Sequence, residues 1–304
     1  MKIVYLNITY ECNSNCSFCA ADHEERGQIG RIDYSTIRDI LDNIKLSLGD
    51  QVIINGGEPT IHPELEEIIA TLSERGCLIT LFTNGRKLKD KEFAKNLLEK
   101  NLYQVSIPLH GNRVIHDKIT RCNGSYDETI LGIENVKKIE EQKKQTRVEL
   151  KLVVCNSNIS IAKETLNDII NFQVADTILI STLFQTNVAC SNEEIVSSKD
   201  LTSAIGGLID ELICSDFRGD VILYGFPLCL LTNSQIGYIL SNTRKERLIE
   251  ENIEEIYVDY KTLGEKIERQ NNICVILECE LHNYCQCGDC ENYKMFRKEL
   301  KPFI

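Results

Sequence analysis

Between residues 3 and 214 a short apolar strand pattern is followed, six times over, by a stretch whose apolar residues recur at the three-and-four spacing of a helix. Such alternation leaves a chain few options. A helix that links two strands of one sheet forces those strands parallel and the crossover right-handed. The strands are expected at residues 3–10, 51–55, 77–82, 103–109, 148–155 and 177–182. Six units of this kind build a curved, partly open α/β barrel whose active residues come from the loops after the strands.

The helices between them carry their own signals. Ile37, Ile40, Leu41, Ile44 and Leu48 share one face of the first, which Gly49 is expected to close. Pro63 starts the second, with Leu65, Ile68, Ile69 and Leu72 inward and Gly76 at its end. Residues 90–100 form the third. Ser125 and Glu128 read as a capping box opening a helix with Ile130, Ile133 and Val136 inward. The last two are built around Leu166, Ile169 and Ile170, and around Leu201, Ile205, Leu208 and Leu212. Beyond about residue 215 the rhythm breaks, with strand patterns only at 221–224 and 254–259. The chain therefore divides into a core of residues 1–216 and a smaller part, residues 217–304.

The first strand empties into Cys12-Asn13-Ser14-Asn15-Cys16-Ser17-Phe18-Cys19, which sets three thiols on one loop at spacings of four and three positions. Three thiolates can hold three irons of a four-iron cluster and leave the fourth iron open to a cofactor or substrate. A structural zinc knuckle is the plainer alternative, but it calls for a fourth ligand that has no neighbour here. Fourteen cysteines in a chain that enters its first strand at once, with no secretory signal, favour metal ligation over a disulfide framework. With no run of 18 apolar residues, no membrane span is expected, and the chain reads as cytoplasmic. Its formal net charge of -12 disfavours a nucleic-acid partner.

This cysteine loop, with an aromatic residue before its last thiol, resembles the signature of the radical S-adenosylmethionine superfamily. The likeness continues in Gly56-Gly57-Glu58-Pro59-Thr60, in Thr83-Asn84-Gly85 and in Val105-Ser106-Ile107, each at or near a strand end. It implies a partial (β/α)6 TIM-like barrel in which Cys12, Cys16 and Cys19 hold a [4Fe-4S] cluster that binds S-adenosyl-L-methionine. Phe18 would flank that cofactor. Gly56, Gly57 and Glu58 would meet its amino group, Thr83 and Ser106 would offer hydroxyls to its ribose, and Asn158 would stand near it after the fifth strand. His110 and His116 read instead as structural histidines.

In the last third, Cys229 and Cys279-x5-Cys285-x-Cys287-x2-Cys290 resemble the cysteine-rich extension called SPASM, or its shorter twitch form. The resemblance implies a small iron–sulfur extension with one auxiliary [4Fe-4S] cluster, held by Cys229, Cys279 and Cys285, with Cys274, Cys287 and Cys290 competing for the fourth place. A zinc site using Cys287 and Cys290 is the alternative. Cys77, Cys122, Cys155, Cys190 and Cys214 are expected to be buried thiols.

The activity so implied is reductive cleavage of S-adenosylmethionine to a 5'-deoxyadenosyl radical, which abstracts hydrogen from a substrate. A flavodoxin or ferredoxin would donate the electron. A peptide undergoing maturation is the first substrate expected, with an aminosugar or nucleotide as the small-molecule alternative. A non-catalytic iron–sulfur carrier or sensor is the reading from another class, and the GGEP and TNG segments count against it because a carrier needs no cofactor pocket.

Overall fold

The computed structural model describes residues 1–19, 30–143, 145–183, 187–226, 230–242 and 254–258. Cys229, Cys274, Cys279, Cys285, Cys287 and Cys290 lie outside the described residues. The strands are β1 (Lys2–Thr9), β2 (Gln51–Gly56), β3 (Leu78–Phe82), β4 (Gln104–Pro108), β5 (Arg147–Val154), β6 (Thr177–Thr182), β7 (Asp220–Tyr224) and β8 (Glu254–Val258). They form a single parallel sheet in the order β7-β6-β5-β4-β3-β2-β1-β8. Strands β1 to β6 lie in chain order, as in a partial (β/α)6 barrel. The sheet is open, with β7 and β8 on opposite edges. Two strands beyond residue 216 thus pair with the core strands, β7 with β6 and β8 with β1.

The helices are α1 (Tyr34–Ile44), α2 (Leu65–Glu74), α3 (Lys91–Leu98), α4 (Arg113–Thr120), α5 (Ser125–Lys143), α6 (Ala162–Asn171), α7 (Asn187–Ser191), α8 (Ser198–Cys214) and α9 (Asn233–Asn242). Alternate strand residues, among them Val4, Leu6, Val52, Ile54, Ile79, Leu81, Val105, Leu150 and Ile178, join Ile37, Leu41, Ile68, Leu97, Ile133, Leu166 and Leu208 of the helices in one buried cluster. Fully burying each such side chain stabilises the fold by roughly 1.5–3 kcal/mol. The residues between them point to the other face by the period of two. That inner face is far more polar, with Asn7, Asn55, Thr80, Gln104, Ser106, Glu149 and Lys151.

Four local expectations change. Helix α1 ends at Ile44 because Lys45 adopts a left-handed conformation (φ 54°), so Gly49 closes nothing and lies in the following turn. Leu48 is consequently off the helix face and 88% exposed. Ser125 and Glu128 form no capping box. The start of α5 is held by Asp117, whose carboxylate accepts from Gly124 N, Ser125 Oγ and Tyr126 N at 2.7, 2.9 and 2.8 Å, while Glu128 pairs with Arg86 and Lys89. Asp117 lies on α4, an eight-residue helix in a stretch where the sequence suggested only loop. Of the five cysteines expected to be buried, Cys77 and Cys155 are; Cys122 is half-buried, and Cys190 and Cys214 are exposed. Among the described residues no helix is long and apolar enough to cross a membrane.

Candidate functional site

The carboxyl ends of the strands share one edge of the sheet, and the cysteine loop occupies it after β1. Cys12, Cys16 and Cys19 are half-buried, and none of the described cysteines is in a disulfide. The loop is fastened from three sides. Asn15 N and Ser17 N donate to Thr120 O and Ile119 O at 2.9 and 2.8 Å, satisfying carbonyls that the end of α4 would otherwise leave open. Asn84 Nδ2 donates to Asn13 Oδ1 at 2.6 Å, and Arg86 reaches Asn13 O and Ser14 Oγ. Ser17 Oγ donates to the buried Glu194, and Asn192 Nδ2 donates to Ser17 O at 2.8 Å.

Gly56 and Gly57 are required by backbone packing. A Cβ on Gly56, whose φ is +135°, would fall 2.3 Å from Thr9 O, and one on Gly57 would fall 2.2 Å from Glu11 O. Their bareness lets the end of β2 close onto the end of β1, where Gly57 N and Glu58 N donate to Thr9 O and Glu11 O at 2.6 and 2.8 Å. Glu58 is buried and its carboxylate is fully engaged. Oε1 accepts from Thr60 N at 3.0 Å, from Thr60 Oγ1 and from Thr83 Oγ1 at 2.6 Å, and Oε2 accepts from Asn84 N at 2.7 Å. Burial pushes its pKa above the ordinary carboxylate value, and these donors pull it back only in part. Glu58 thereby rivets the turn after β2 to the turn after β3. Thr83 Oγ1 also accepts from Gly85 N at 3.1 Å, so that hydroxyl is committed within the protein.

On the inner face, Ser106 Oγ and Gln104 Nε2 donate to the two oxygens of buried Glu149 at 2.7 and 3.1 Å. Lys151 stands two residues along the same face of β5. Burial draws its pKa down, and the Glu149 carboxylate partly offsets this. Neither Glu149 nor Lys151 was singled out in the sequence. The available signal was a pair of opposite charges at spacing two inside a strand otherwise apolar from Val148 to Val154.

Asn158 is fully buried and ties two strand ends together. Its amide donates to His110 O and Val153 O at 3.0 and 2.8 Å, and its oxygen accepts from Cys155 N at 2.9 Å. Phe18 meets the His110 ring edge-on at 5.1 Å, and His110 stacks on His116 at 5.5 Å. His116 Nδ1 accepts from His110 N at 3.3 Å. Burial lowers both histidine pKa values, that of His116 to about 4, so the rings are neutral near pH 7. Burial would likewise raise Glu194, but hydrogen bonds from Ser17, Ser157 and Cys155 hold it below the usual carboxylate range.

The structure thus brings Cys12, Cys16, Cys19, Phe18, Gly56, Gly57, Glu58, Thr83, Ser106 and Asn158 to one edge and the inner face beneath it. Half-buried thiols on a loop of small polar residues suit a four-iron cluster, which takes each thiolate at a separate corner. No three His, Cys, Asp or Glu among the described residues converge on one point as ligands of a single ion would.

Residues 6–141 match the model of the Radical SAM superfamily. An Fe-coproporphyrin III synthase of Methanosarcina barkeri is 30% identical over 158 residues, covering 52% of this chain and 38% of that protein. Among solved structures, native anSMEcpe with bound AdoMet and Cp18Cys peptide superposes with a TM-score of 0.62 at 14% identity, over 99% of this chain and 96% of that one. Streptococcus suis SuiB bound to precursor peptide SuiA gives 0.59 at 16% identity, over 89% and 62% of the two chains. The structural likeness establishes the fold. This chain spans well under half of the Methanosarcina relative's length.

Proposed function

Residues 6–141 of this chain are a radical SAM domain, and from that premise we propose that the protein binds a [4Fe-4S] cluster and S-adenosyl-L-methionine and abstracts hydrogen from a peptide substrate. The observation that carries the reading is the trio of half-buried thiols at the carboxyl end of β1, held in place by the loops after β3 and α4. When bound, cluster and cofactor together supply a 5'-deoxyadenosyl radical.

The chain's own residues do the rest. Cys12, Cys16 and Cys19 hold the cluster as thiolates, and Arg86 and Asn84 fix the loop that carries them. Glu58 aligns the backbone after β2 and β3 while staying within the protein, so main-chain groups of that segment would be the ones to meet the cofactor's amino group. Glu149, with acceptor capacity left after its two donors, would accept from cofactor hydroxyls, with Ser106 orienting it. Lys151, two residues along the same face, would supply a positive charge for an anionic group of the cofactor or substrate. Phe18, His110 and Asn158 would back the site with neutral groups, which would help keep the interior dry and protect a radical from solvent. The segment 217–304 is assigned to a SPASM- or twitch-type extension on its cysteine spacing, with Cys229, Cys279 and Cys285 as ligands of an auxiliary cluster and one of Cys274, Cys287 and Cys290 as the fourth.

Replacing Cys12, Cys16 and Cys19 with alanine should abolish 5'-deoxyadenosine formation under anaerobic reduction, and undiminished turnover would refute the assignment. In that triple variant iron analysis should still return about four irons for the tail; zinc there would remove the auxiliary cluster. The peptide reading draws on the peptide complexes of the structural neighbours. A small-molecule substrate is the second reading, favoured by the Fe-coproporphyrin III synthase relative. Isotope exchange from peptide or porphyrin candidates into 5'-deoxyadenosine separates the two.

A further inference from the structure

Glu194 lies just beyond α7 and is 3% exposed. Its carboxylate accepts from two other segments of the chain. From the cysteine loop comes Ser17 Oγ, between Cys16 and Cys19, and from the loop after β5 come Ser157 Oγ at 2.9 Å, Ser157 N at 3.1 Å and the Cys155 thiol. Neighbouring groups repeat the connection. Asn192 Nδ2 donates to Ser17 O at 2.8 Å, Asn156 N donates to Glu194 O at 3.0 Å, and Asn156 Nδ2 donates to Glu193 O and Ile195 O at 2.7 and 3.0 Å.

No cation answers this carboxylate among the described residues: burial and neutral donors are what act on it, and the donors hold it ionised. Burying a charge without a counter-charge is costly. A neutral side chain would fasten the two loops without that cost, so the charge itself calls for a use. At the other end of the cysteine loop Arg86 reaches Asn13 O and Ser14 Oγ, but its own charge is met by Glu128.

We propose that Glu194 is a positioning residue for the cluster: it latches the Cys16–Cys19 half of the loop to the segment after β5 and sets behind it a fixed negative charge that holds the cluster's reduction potential down. The inference rests on the radical SAM reading above. A cluster's potential follows the charge and hydrogen bonding around it. Adding an electron near a buried anion is opposed most strongly where water does not screen the two. A lower potential makes the reduced cluster the stronger electron donor to a sulfonium. Glu194 itself gains and loses no electron and no proton, and it acts through Ser17 rather than by touching iron or cofactor.

The test uses the full chain with its clusters reconstituted and reads the cluster signal that disappears when Cys12, Cys16 and Cys19 are replaced with alanine. Midpoint potentials come from a redox titration followed by electron paramagnetic resonance, and iron release from transfer to a ferrous chelator. Glu194→Gln should ease reduction of that cluster by about tenfold, a rise of about 59 mV for one electron. Glu194→Asp, which keeps the charge, should stay within about threefold of wild type. Glu193→Gln, which removes an exposed charge at the next position, should stay within about twofold. Ser17→Ala, which cuts only the link to the loop, should release iron about tenfold faster. A purely structural role would speed iron release and leave the potentials alike, so equal potentials in wild type and Glu194→Gln would overturn the proposal. If Glu194→Gln does not fold, Ser17→Ala decides: faster release upholds the latch, and an unchanged rate overturns it. A wild-type cluster whose spectrum ignores added S-adenosylmethionine would instead overturn the radical reading, with the two potentials still deciding the role of Glu194.

Discussion

Two buried carboxylates at this site have opposite characters. Glu58, in the segment most recognisable from sequence, has four donors on its two oxygens and reaches nothing beyond the protein. Glu149, in a strand that drew no attention, has two donors and a lysine neighbour on the open inner face. The difference separates conspicuous sequence from chemical availability: the first region is a rivet, and the second has acceptor capacity that its two donors leave unused.

The largest expected effect falls on the rivet. Glu58→Ala would strand Thr83 Oγ1 and the amides of Thr60 and Asn84 in the interior. Each orphaned donor costs about 1–3 kcal/mol, partly offset by removing a buried charge, so a net loss of about 4 kcal/mol is expected in denaturant unfolding. Glu58→Gln, which keeps one acceptor oxygen, should lose about half as much. A change below about 1 kcal/mol in both variants would show that the carboxylate is not committed as described.

Acid should act on the buried histidines and on Glu58 with opposite sign. The folded state keeps His116 neutral down to about pH 4, while the unfolded ring takes a proton near 6.5. The unfolded chain therefore binds more protons in that window. Stability is lost as pH falls through it, by up to about 3 kcal/mol from this residue. His110 shifts the same way. Glu58 does the reverse: with its folded pKa raised above 4.5, the folded chain binds more protons just above that value, and stability falls as pH rises there. Unfolding midpoints from pH 4 to 7 should slope less steeply in His116→Asn and more steeply in Glu58→Gln. Parallel profiles for all three proteins would break the contrast.

The smaller effects belong to the inner face. Glu149→Gln should leave stability within about 1 kcal/mol of wild type but weaken S-adenosylmethionine binding by about tenfold. Ser106→Ala, which only releases an orienting hydroxyl, should weaken it by about threefold. If Glu149→Gln instead unfolds the protein and binds the cofactor normally, the two carboxylates do not differ in kind.

Most of the scaffold was legible because parallel strands between helices are written as dense apolar runs, and β1 to β6 fall within about two residues of their expected places. The cysteine, GGEP and TNG segments were expected to lie together because each follows a strand, and they do meet at one edge of the sheet. What hid was whatever depends on contacts distant in sequence. Helix α4 is short, with Val114, Ile115 and Ile119 its only aliphatic residues, and its purpose as the support of the cysteine loop appears only when residues 15 and 17 meet residues 120 and 119. The start of α5 was misread because a local Ser–Glu pair imitates a box whose true cap, Asp117, sits on the preceding helix. Glu149 and Lys151 hid because a strand alternation records polarity without saying which face encloses the site.

The most direct test is electron paramagnetic resonance of the reduced, reconstituted protein with Cys229, Cys279 and Cys285 replaced by alanine, recorded before and after adding S-adenosylmethionine. An iron left open by Cys12, Cys16 and Cys19 requires the signal to change on addition, and the change to vanish when those three are also replaced. A cluster spectrum that ignores the added cofactor would contradict the account.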